Sequence, residues 1–319
     1  LLSALMLTLT VAARPATAEG PLKPYAIGYN NWIGYIALFV AQEQGLFKAE
    51  GLDVQVKMFS SPGDGIAPLL GGSLDGHLTT ADSVVTALDK APGQIVNVYL
   101  TDTSAGADAI LAKTSVTSVQ GLKGKTVAAT AGQCNELLLV KALEKAGLTT
   151  ADVTFTNMNP DDAGAAFAAG KLDAAVTWEP WISKVQGEKK GHVIFSSKDV
   201  PNLILDTFAI SKHTADTKAA ETRAFVRALD KANTWVIAHP REAAAIAAKP
   251  LEQSADEVLA MLPKVKLYDA AANKAQMGTT ATPGPAIGVA RELAAFFKAR
   301  GTNSGVVDPA TVFDASYLP

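Results

Sequence analysis

Hydrophobic residues follow two alternating periods along most of the chain. Runs such as Tyr25–Tyr29 (YAIGY) and Leu52–Met58 (LDVQVKM) have the apolar character or two-residue alternation of strands, whereas Ile36–Lys48 carries apolar residues at helical spacing. Further strands are predicted at Asp75–Thr80, Ile95–Leu100, Ile110–Lys113, Thr126–Ala129, Val153–Asn157 and Ala174–Thr177. Further helices are predicted at Gly63–Leu70, Val84–Leu88, Glu136–Ala146 and Asp161–Ala169. This alternation predicts an α/β fold with mainly parallel sheets and helices on both faces.

Two short strands that end in lysine, Ala109–Lys113 and Phe208–Lys212, mark where the chain is expected to pass between two lobes. We predict lobe 1 at residues 19–110 and 211–319 and lobe 2 at residues 111–210, joined by a two-strand hinge. Helices that would cover lobe 1 are predicted at Thr217–Ala238, Pro240–Ala248, Ser254–Leu262 and Pro285–Arg300. Ligands dock in the cleft at the strand ends of such sheets. The alternative is one continuous sheet without a cleft.

The first residues have the features of an export signal. Leu1–Val11 (LLSALMLTLTV) is an apolar run too short to span a bilayer, and Ala16-Thr17-Ala18 has the small-x-small pattern of a cleavage site. We therefore expect residues 1–18 to be a signal peptide cleaved near Ala18, with a start that is truncated because no basic region precedes it. The alternatives are a frayed apolar terminus or a lone anchor. With the signal removed, we expect a soluble protein of the periplasm.

Composition narrows the classes of protein that remain. Of the 319 residues, 48% are hydrophobic and 18% are charged, and the formal net charge of −3 gives no general attraction to nucleic acid. The single cysteine, Cys134, excludes an intramolecular disulfide and any multi-cysteine metal site, and it does not follow the signal as a lipid-anchored cysteine would. The four histidines form no pair at metal-binding spacing, so we expect no metal and no cofactor. A protein free in a periplasm indicates a Gram-negative host.

Sequence motifs of the common enzyme classes are missing from the chain. It has no GxSxG nucleophile elbow, no HExxH motif and neither of the glycine-rich phosphate-binding motifs. We therefore expect a binding protein and not an enzyme. Two alternatives stay open, a hydrolase that uses two carboxylates near tryptophans and a ligand-sensing protein that docks to a membrane protein without transport.

Five segments carry a resemblance to a known family. They are NNWIGY (Asn30–Tyr35), AQEQGLFKAEGLDVQV (Ala41–Val56), GGSLDGHLTTADSVV (Gly71–Val85), GLKGKTVAATAGQCNELLLVKALEKAGL (Gly121–Leu148) and DAAVTWEPW (Asp173–Trp181). In this order they resemble solute-binding proteins of bacterial ABC importers, in the nitrate, sulfonate and taurine subfamily (NMT1/THI5-like), which also includes binders of pyrimidine precursors. Each segment alone would be a weak signal, but the set is specific.

The resemblance implies a fold and a set of partners. The fold would be the type II periplasmic-binding-protein fold, with two lobes that close on a small solute of the sulfonate, taurine or nitrate type. The protein would be a monomer that delivers this solute to an ABC permease and its ATPase at the inner membrane. A thiamine-precursor synthase shares the fold, but such enzymes are not exported, so the predicted signal argues against that activity.

Most candidate ligand-binding residues lie at the ends of predicted strands, where loops line the cleft of an open sheet, and Asp206 lies beside the second crossing between the lobes. The candidates are Asn31, Trp32, Tyr35, Thr80, Asp82, Gln133, Asn135, Glu136, Trp178, Glu179 and Asp206. Trp32 and Tyr35 would supply flat walls with polar tips, or else belong to the core. Asp82 is either a ligand contact or a helix N-cap. The loop that holds Gln133 would offer donors and a helix start to an oxyanion.

The charge of these loops bears on the ligand. They contain Asp82, Asp108, Glu136, Glu179 and Asp206, and no arginine or lysine. Buried carboxylates need a compensating charge or donor, so a purely anionic ligand is unfavourable if two of them face the cleft. A zwitterion such as taurine fits better, as does a cationic, urea-like or pyrimidine amine held between two tryptophans.

Overall fold

Two β-sheets flanked by helices make up the framework of the computed structural model, which describes residues 20–279, 281–304, 308 and 311–319. The predicted signal peptide lies outside the described residues. The strands are β1 (Lys23–Asn30), β2 (Leu52–Phe59), β3 (Gly76–Thr80), β4 (Ile95–Ser104), β5 (Asp108–Ala112), β6 (Thr126–Ala129), β7 (Thr154–Asn157), β8 (Ala174–Trp178), β9 (His192–Ser196), β10 (Leu205–Ser211) and β11 (Val265–Leu267).

Helices occupy most of the connections between strands and nearly all of the C-terminal third. They are α1 (Ile36–Glu43), α2 (Leu46–Ala49), α3 (Ile66–Leu70), α4 (Ala81–Lys90), α5 (Cys134–Lys145), α6 (Pro160–Ala168), α7 (Trp181–Gly187), α8 (Lys212–Thr217), α9 (Ala219–Ala238), α10 (Pro240–Ala247), α11 (Ala255–Met261), α12 (Ala270–Met277) and α13 (Pro285–Ala299). None of the described helices is both long enough and apolar enough to span a membrane.

Strand order and direction define the two sheets. The first has the order β11-β4-β10-β3-β1-β2, and the second has the order β7-β6-β8-β5-β9. In the first sheet β10 is antiparallel to β3 and β4, and β11 is antiparallel to β4. In the second sheet β5 is antiparallel to β8 and β9. The remaining strands of each sheet share one direction, so both sheets are mainly parallel, as predicted.

Each sheet with its helices is one lobe, and the chain changes lobe twice. It leaves the first sheet after β4 and enters the second at β5, then returns between β9 and β10. The changes therefore fall at residues 105–107 and 197–204, a few residues before the predicted boundaries at 110/111 and 210/211, which lie inside β5 and β10. The prediction placed β10 in lobe 2, but this strand pairs with β3 and β4 of lobe 1.

Several elements differ from the predicted pattern. The helix predicted over Ile36–Lys48 is two helices, because Gly45 between them adopts the left-handed conformation with φ of 69° that ends α1. The prediction did not include α7, α8, α12, β9 or β11. These elements are short, and three of them follow stretches rich in charge or turn residues, so their periodicity is weak.

The main apolar core of lobe 1 lies between the first sheet and helices α1, α9 and α10. Phe225 of α9 is its centre, with ring centroids 4.5 Å from Phe208 on β10 and 4.9 Å from Phe47 on α2. The prediction that the long C-terminal helix covers lobe 1 is confirmed. This packing fixes the first sheet and therefore the loops at its carboxyl edge.

Candidate functional site

A small cavity lies where the two lobes meet, and we call it the inner cavity. It is lined by Asn30, Trp32, Pro62, Thr80, Asp108, Cys134, Trp178, Ile204 and Asp206. Its volume is about 10 Å³, which is the space of one water molecule. Side chains of the two lobes therefore meet directly across the cleft, and the structure is a closed form of the protein.

Two tryptophans from opposite lobes form one wall of the inner cavity. The ring centroids of Trp32, in lobe 1, and Trp178, in lobe 2, are 6.2 Å apart, with the ring planes tilted by 57°. Nε1 of Trp32 donates to Oδ1 of Asp102 at 3.1 Å. Nε1 of Trp178 donates to Oδ1 of Asp161 at 2.8 Å, and Trp181 donates to the same oxygen at 3.0 Å. Each ring is therefore held in place by a carboxylate, fully buried at Asp102 and partly buried at Asp161.

The loop after β1 can approach Asp102 only because it contains Gly34. A Cβ atom at this position would lie 2.0 Å from Oδ2 of Asp102 and 2.4 Å from Nε1 of Trp32. Glycine thus leaves the space in which the Trp32 indole reaches its acceptor. Asp102 is remote from this loop in sequence, so the sequence pattern NNWIGY does not identify it as the partner.

Four aspartates form a buried acidic cluster at the same place, made of Asp82, Asp102, Asp108 and Asp206. Each has 3% or less of its surface exposed. Burial raises the pKa of Asp82 to about 6. Burial, with a contribution from neighbouring carboxylates, raises the pKa of Asp102 and of Asp108 to about 7. The pKa of Asp206 is raised well above its usual range by burial and by the charge of Asp102. The cluster therefore tends to keep protons at neutral pH.

Three oxygen atoms on residues that line the inner cavity have no hydrogen-bond partner among the described residues. They are Oδ2 of Asp108, Oδ2 of Asp206 and Oδ1 of Asn30. The other Asp206 oxygen accepts from the Tyr35 hydroxyl at 2.8 Å. Buried oxygens without donors are costly, so this arrangement is complementary to a group that donates hydrogen bonds or carries positive charge. None of the described residues that line the cavity is basic.

Asp82 links the two lobes. Its Oδ2 atom accepts a hydrogen bond at 2.9 Å from the backbone N–H of Cys134, the first residue of α5 in the other lobe. The sequence left open whether Asp82 binds ligand or caps a helix, and the closed structure places it on the N-terminal turn of a helix from the opposite lobe. It lies beside Thr80, whose hydroxyl is 3.0 Å from that of Ser83.

Two predicted acidic candidates are neutralised by basic residues from the C-terminal region. Glu179 accepts from the backbone and hydroxyl of Ser183 and forms an ion pair with Lys264. Glu136 accepts from the backbone N–H of Gly132 and pairs with Arg300. The loops themselves contain no lysine or arginine, but Lys264 and Arg300 reach these two carboxylates from positions distant in sequence. No lysine or arginine of the described residues forms an ion pair with the four aspartates of the acidic cluster.

The remaining candidates lie at different depths. Trp32, Thr80, Trp178 and Asp206 line the inner cavity, and Tyr35 supports Asp206 from behind. Asn135 is fully buried in α5, and its Nδ2 atom has no partner among the described residues. Gln133 lines a larger cavity beside the inner one, and Asn31 lines a third, of about 280 Å³, together with Met58 and Asp161.

Sequence reasoning left five lining residues out of the candidate set. They are Asn30, Pro62, Asp108, Cys134 and Ile204. Asn30 adjoins a predicted candidate in the same loop, and Asp108 was named among the acidic loop residues but not among the candidates. The others carry no chemical signal that would have marked them. Among the described residues, no group of three His, Cys, Asp or Glu side chains is placed to hold a metal ion.

Comparison with known proteins identifies the family. The model of a family described as "NMT1/THI5 like" matches residues 32–243, which is more than half of the chain. The chain belongs to the NMT1/THI5-like family. The predicted resemblance is therefore confirmed.

Individual members of the NMT1/THI5-like family and of its fold extend the comparison. A protein of Brucella abortus (strain 2308), named only as a binding protein, is 28% identical over 258 residues, 78% of each chain. The taurine-binding periplasmic protein of Escherichia coli (strain K12) is 27% identical over 207 residues, 63% of each chain. The crystal structure of the periplasmic aliphatic sulphonate binding protein SsuA from Escherichia coli covers 92% of this chain and 99% of its own, with a TM-score of 0.76 and 21% identity. The predicted periplasmic-binding-protein fold is confirmed.

Proposed function

We propose that this protein is the solute-binding component of an ABC importer and that its cleft holds a small nitrogen compound that is cationic or rich in N–H donors. It binds this solute in the periplasm as a monomer, without chemical conversion, and delivers it to a permease and its ATPase. Family membership and the names of the relatives support the binding and periplasmic parts of this proposal.

The observation that carries the choice of ligand is the set of partnerless oxygens on Asp108, Asp206 and Asn30 around one cavity without a basic lining residue. A nitrate or sulfonate group offers only acceptors, so it would leave the Asn30 oxygen without a donor and would require the carboxyls to stay protonated. An ammonium, guanidinium, urea or aminopyrimidine supplies the missing donors and favours the ionised form of the acidic cluster.

The tryptophan pair supports the same class of ligand. Trp32 and Trp178 present their rings from opposite lobes at a separation of 6.2 Å. A small opening of the lobes would let a planar or cationic group slide between the rings, where cation–π attraction is strong because water is excluded. The hydrogen bonds of Trp32 to Asp102 and of Trp178 to Asp161 hold the rings ready for this contact.

A thermal-shift screen of the ligand-stripped mature protein tests the proposal. One half of the panel contains methylammonium, guanidinium, urea and aminopyrimidines, and the other contains nitrate, ethanesulfonate and taurine. A ligand present at about 100 times its Kd adds roughly 2.7 kcal/mol of stability, which a melting curve resolves. We expect stabilisation by compounds of the first half.

Matched variants show whether a ligand found in the screen binds in the cleft. Asp206→Asn and Asp108→Asn each remove an ionisable carboxyl with little change of shape. Both should reduce the stabilisation that the ligand gives. Asp53→Asn, at an exposed position on β2, should leave it unchanged. Stabilisation by nitrate or ethanesulfonate alone contradicts the proposed ligand class. Stabilisation by taurine that is lost in Asp206→Asn supports it through the ammonium end.

A further inference from the structure

A larger cavity lies beside the inner cavity, and we call it the outer cavity. Its volume is about 600 Å³, within the range of small-molecule sites in proteins. It is lined from lobe 1 by residues of α3 and α4 and by Thr302, and from lobe 2 by the loop that ends at Gln133. Residues of both lobes contribute, so the outer cavity takes its full shape only when the lobes close.

The inner and outer cavities share their dividing wall. The loop after β2 supplies Pro62 to the inner cavity and Gly63 to the outer one. The start of α5 likewise supplies Cys134 to one cavity and Gln133 to the other. Between them, the hydroxyl of Thr80 on the inner side is 3.0 Å from that of Ser83 on the outer side. A ligand that parts these side chains reaches both spaces.

The lining of the outer cavity is apolar along one side and polar at defined points. Ile66, Leu70 and Ala87 supply an aliphatic wall from α3 and α4. Oγ1 of Thr86 and Oε1 of Gln133 are buried and have no partner among the described residues. Such atoms mark a place where a ligand or water is needed to complete hydrogen bonding.

Lys90 supplies a positive charge to the same cavity. It lies in the last turn of α4, and no carboxylate of the described part of the chain is paired with it. The hydroxyl of Thr86, one helical turn earlier, faces the same space. The two cavities therefore differ in charge, because the inner one is acidic and the outer one has a free ammonium group.

We infer that the outer cavity is a second subsite that holds an aliphatic chain ending in an acidic group, the end of the chain near Lys90. Resting on the proposed function, the full ligand is then an extended zwitterion larger than taurine. Its nitrogen end lies at the acidic cluster, and its carboxylate or sulfonate end lies at the lysine. The methylene groups between the two ends pack against the apolar wall of α3 and α4.

Three probes of equal chain length separate the two subsites, namely hexylamine, hexanoate and 6-aminohexanoate, with Kd measured by calorimetry. We expect 6-aminohexanoate to bind more tightly than either single-ended probe. Lys90→Gln should weaken 6-aminohexanoate and hexanoate by roughly fivefold, as for a partly exposed ion pair, and leave hexylamine unchanged. Lys171→Gln, on the exposed surface of lobe 2, is the matched control.

A second variant tests the space itself. Ala67 lines the outer cavity at an exposed position, so Ala67→Phe fills the cavity without disturbing the core. It should abolish the advantage of 6-aminohexanoate over hexylamine. If neither Lys90→Gln nor Ala67→Phe changes the Kd of 6-aminohexanoate, the second subsite is disproved, while Asp206-dependent binding of hexylamine would still uphold the proposed function.

The opposite result would support the second subsite and overturn the proposed nitrogen ligand. Binding of hexanoate that depends on Lys90, with no binding of either amine at the acidic cluster, supports the outer subsite and overturns the proposed nitrogen ligand. Absence of binding by all three probes overturns both.

Discussion

Trp32 and Trp178 come from different lobes, yet their ring centroids lie only 6.2 Å apart in the closed structure. Both rings are buried, and both indole N–H groups are bound by carboxylates. The distance between the two rings therefore measures closure of the cleft, because any opening of the cleft separates them. It also provides the aromatic surface on which the proposed ligand would rest.

Truncating either ring should weaken binding of a nitrogen ligand. We expect Trp178→Ala to cost roughly 2 kcal/mol of binding free energy, about a 30-fold increase in Kd, as for a cation–π contact shielded from water. Trp178→Phe should retain most of the affinity, since it keeps a ring. Calorimetry gives both numbers. Trp235→Phe, on α9 away from the cleft, is the control, and an equal loss there would show a general effect on the fold.

Replacing Gly34 should damage the site through one contact. A Cβ atom at this position overlaps Asp102 and Trp32, so we expect Gly34→Ala to lower the free energy of unfolding by roughly 1–3 kcal/mol. Gly288 on α13 is the matched control, because a Cβ there meets nothing within 4 Å. Gly288→Ala should instead stabilise the helix by roughly 0.5–1 kcal/mol. Denaturant titration measures both, and equal signs would refute the steric explanation.

The ion pair of Lys264 with Glu179 should hold the lobes together. Removing Lys264 leaves a fully buried carboxylate side chain without its cation. We expect Lys264→Gln to disfavour the closed form by roughly 1–3 kcal/mol, a value reduced because the lysine is partly exposed. Small-angle X-ray scattering should show a larger radius of gyration. The ammonium of Lys266 lies over Tyr268 in its own lobe, so Lys266→Gln should leave the radius of gyration unchanged.

The acidic cluster should make stability depend on pH in an unusual direction. Asp102 and Asp108 have pKa values raised from 3.8 to about 7, so the closed protein binds more protons than the unfolded chain between these values. The stability of the ligand-free protein should therefore be greatest at the acidic end and fall as pH rises from about 4 to about 7. Melting temperatures across this range test it. Asp102→Asn should flatten the profile, and an unchanged slope would exclude the cluster as its cause.

The fold was largely predictable because most of its strands have a regular hydrophobic pattern. The strands predicted near Leu52–Met58 and Thr126–Ala129 coincide closely with β2 and β6. The site was less predictable because its chemistry depends on pairs far apart in the chain. Lys264 lies 85 residues from Glu179, and Arg300 lies 164 residues from Glu136. No local spacing of residues in the sequence predicts such partners.

The sequence also could not predict how deeply each candidate side chain lies in the cleft. Trp32 and Tyr35 belong to the same loop, but only the first lines the inner cavity, while the second is placed behind Asp206. The difference depends on how the loop after β1 packs against β4 and β10. Sequence could show that aromatic and acidic residues gather at strand ends, but not which of their atoms lack partners.

The most direct test of the central claim is the proton balance of ligand binding. Calorimetry at pH 7, in two buffers of different ionisation enthalpy, counts the protons exchanged when the best nitrogen ligand binds. A cation should ionise the acidic cluster and release protons, and Asp206→Asn should reduce that release. Proton uptake on binding, or tight binding of a simple anion with no change in Asp206→Asn, would contradict the account.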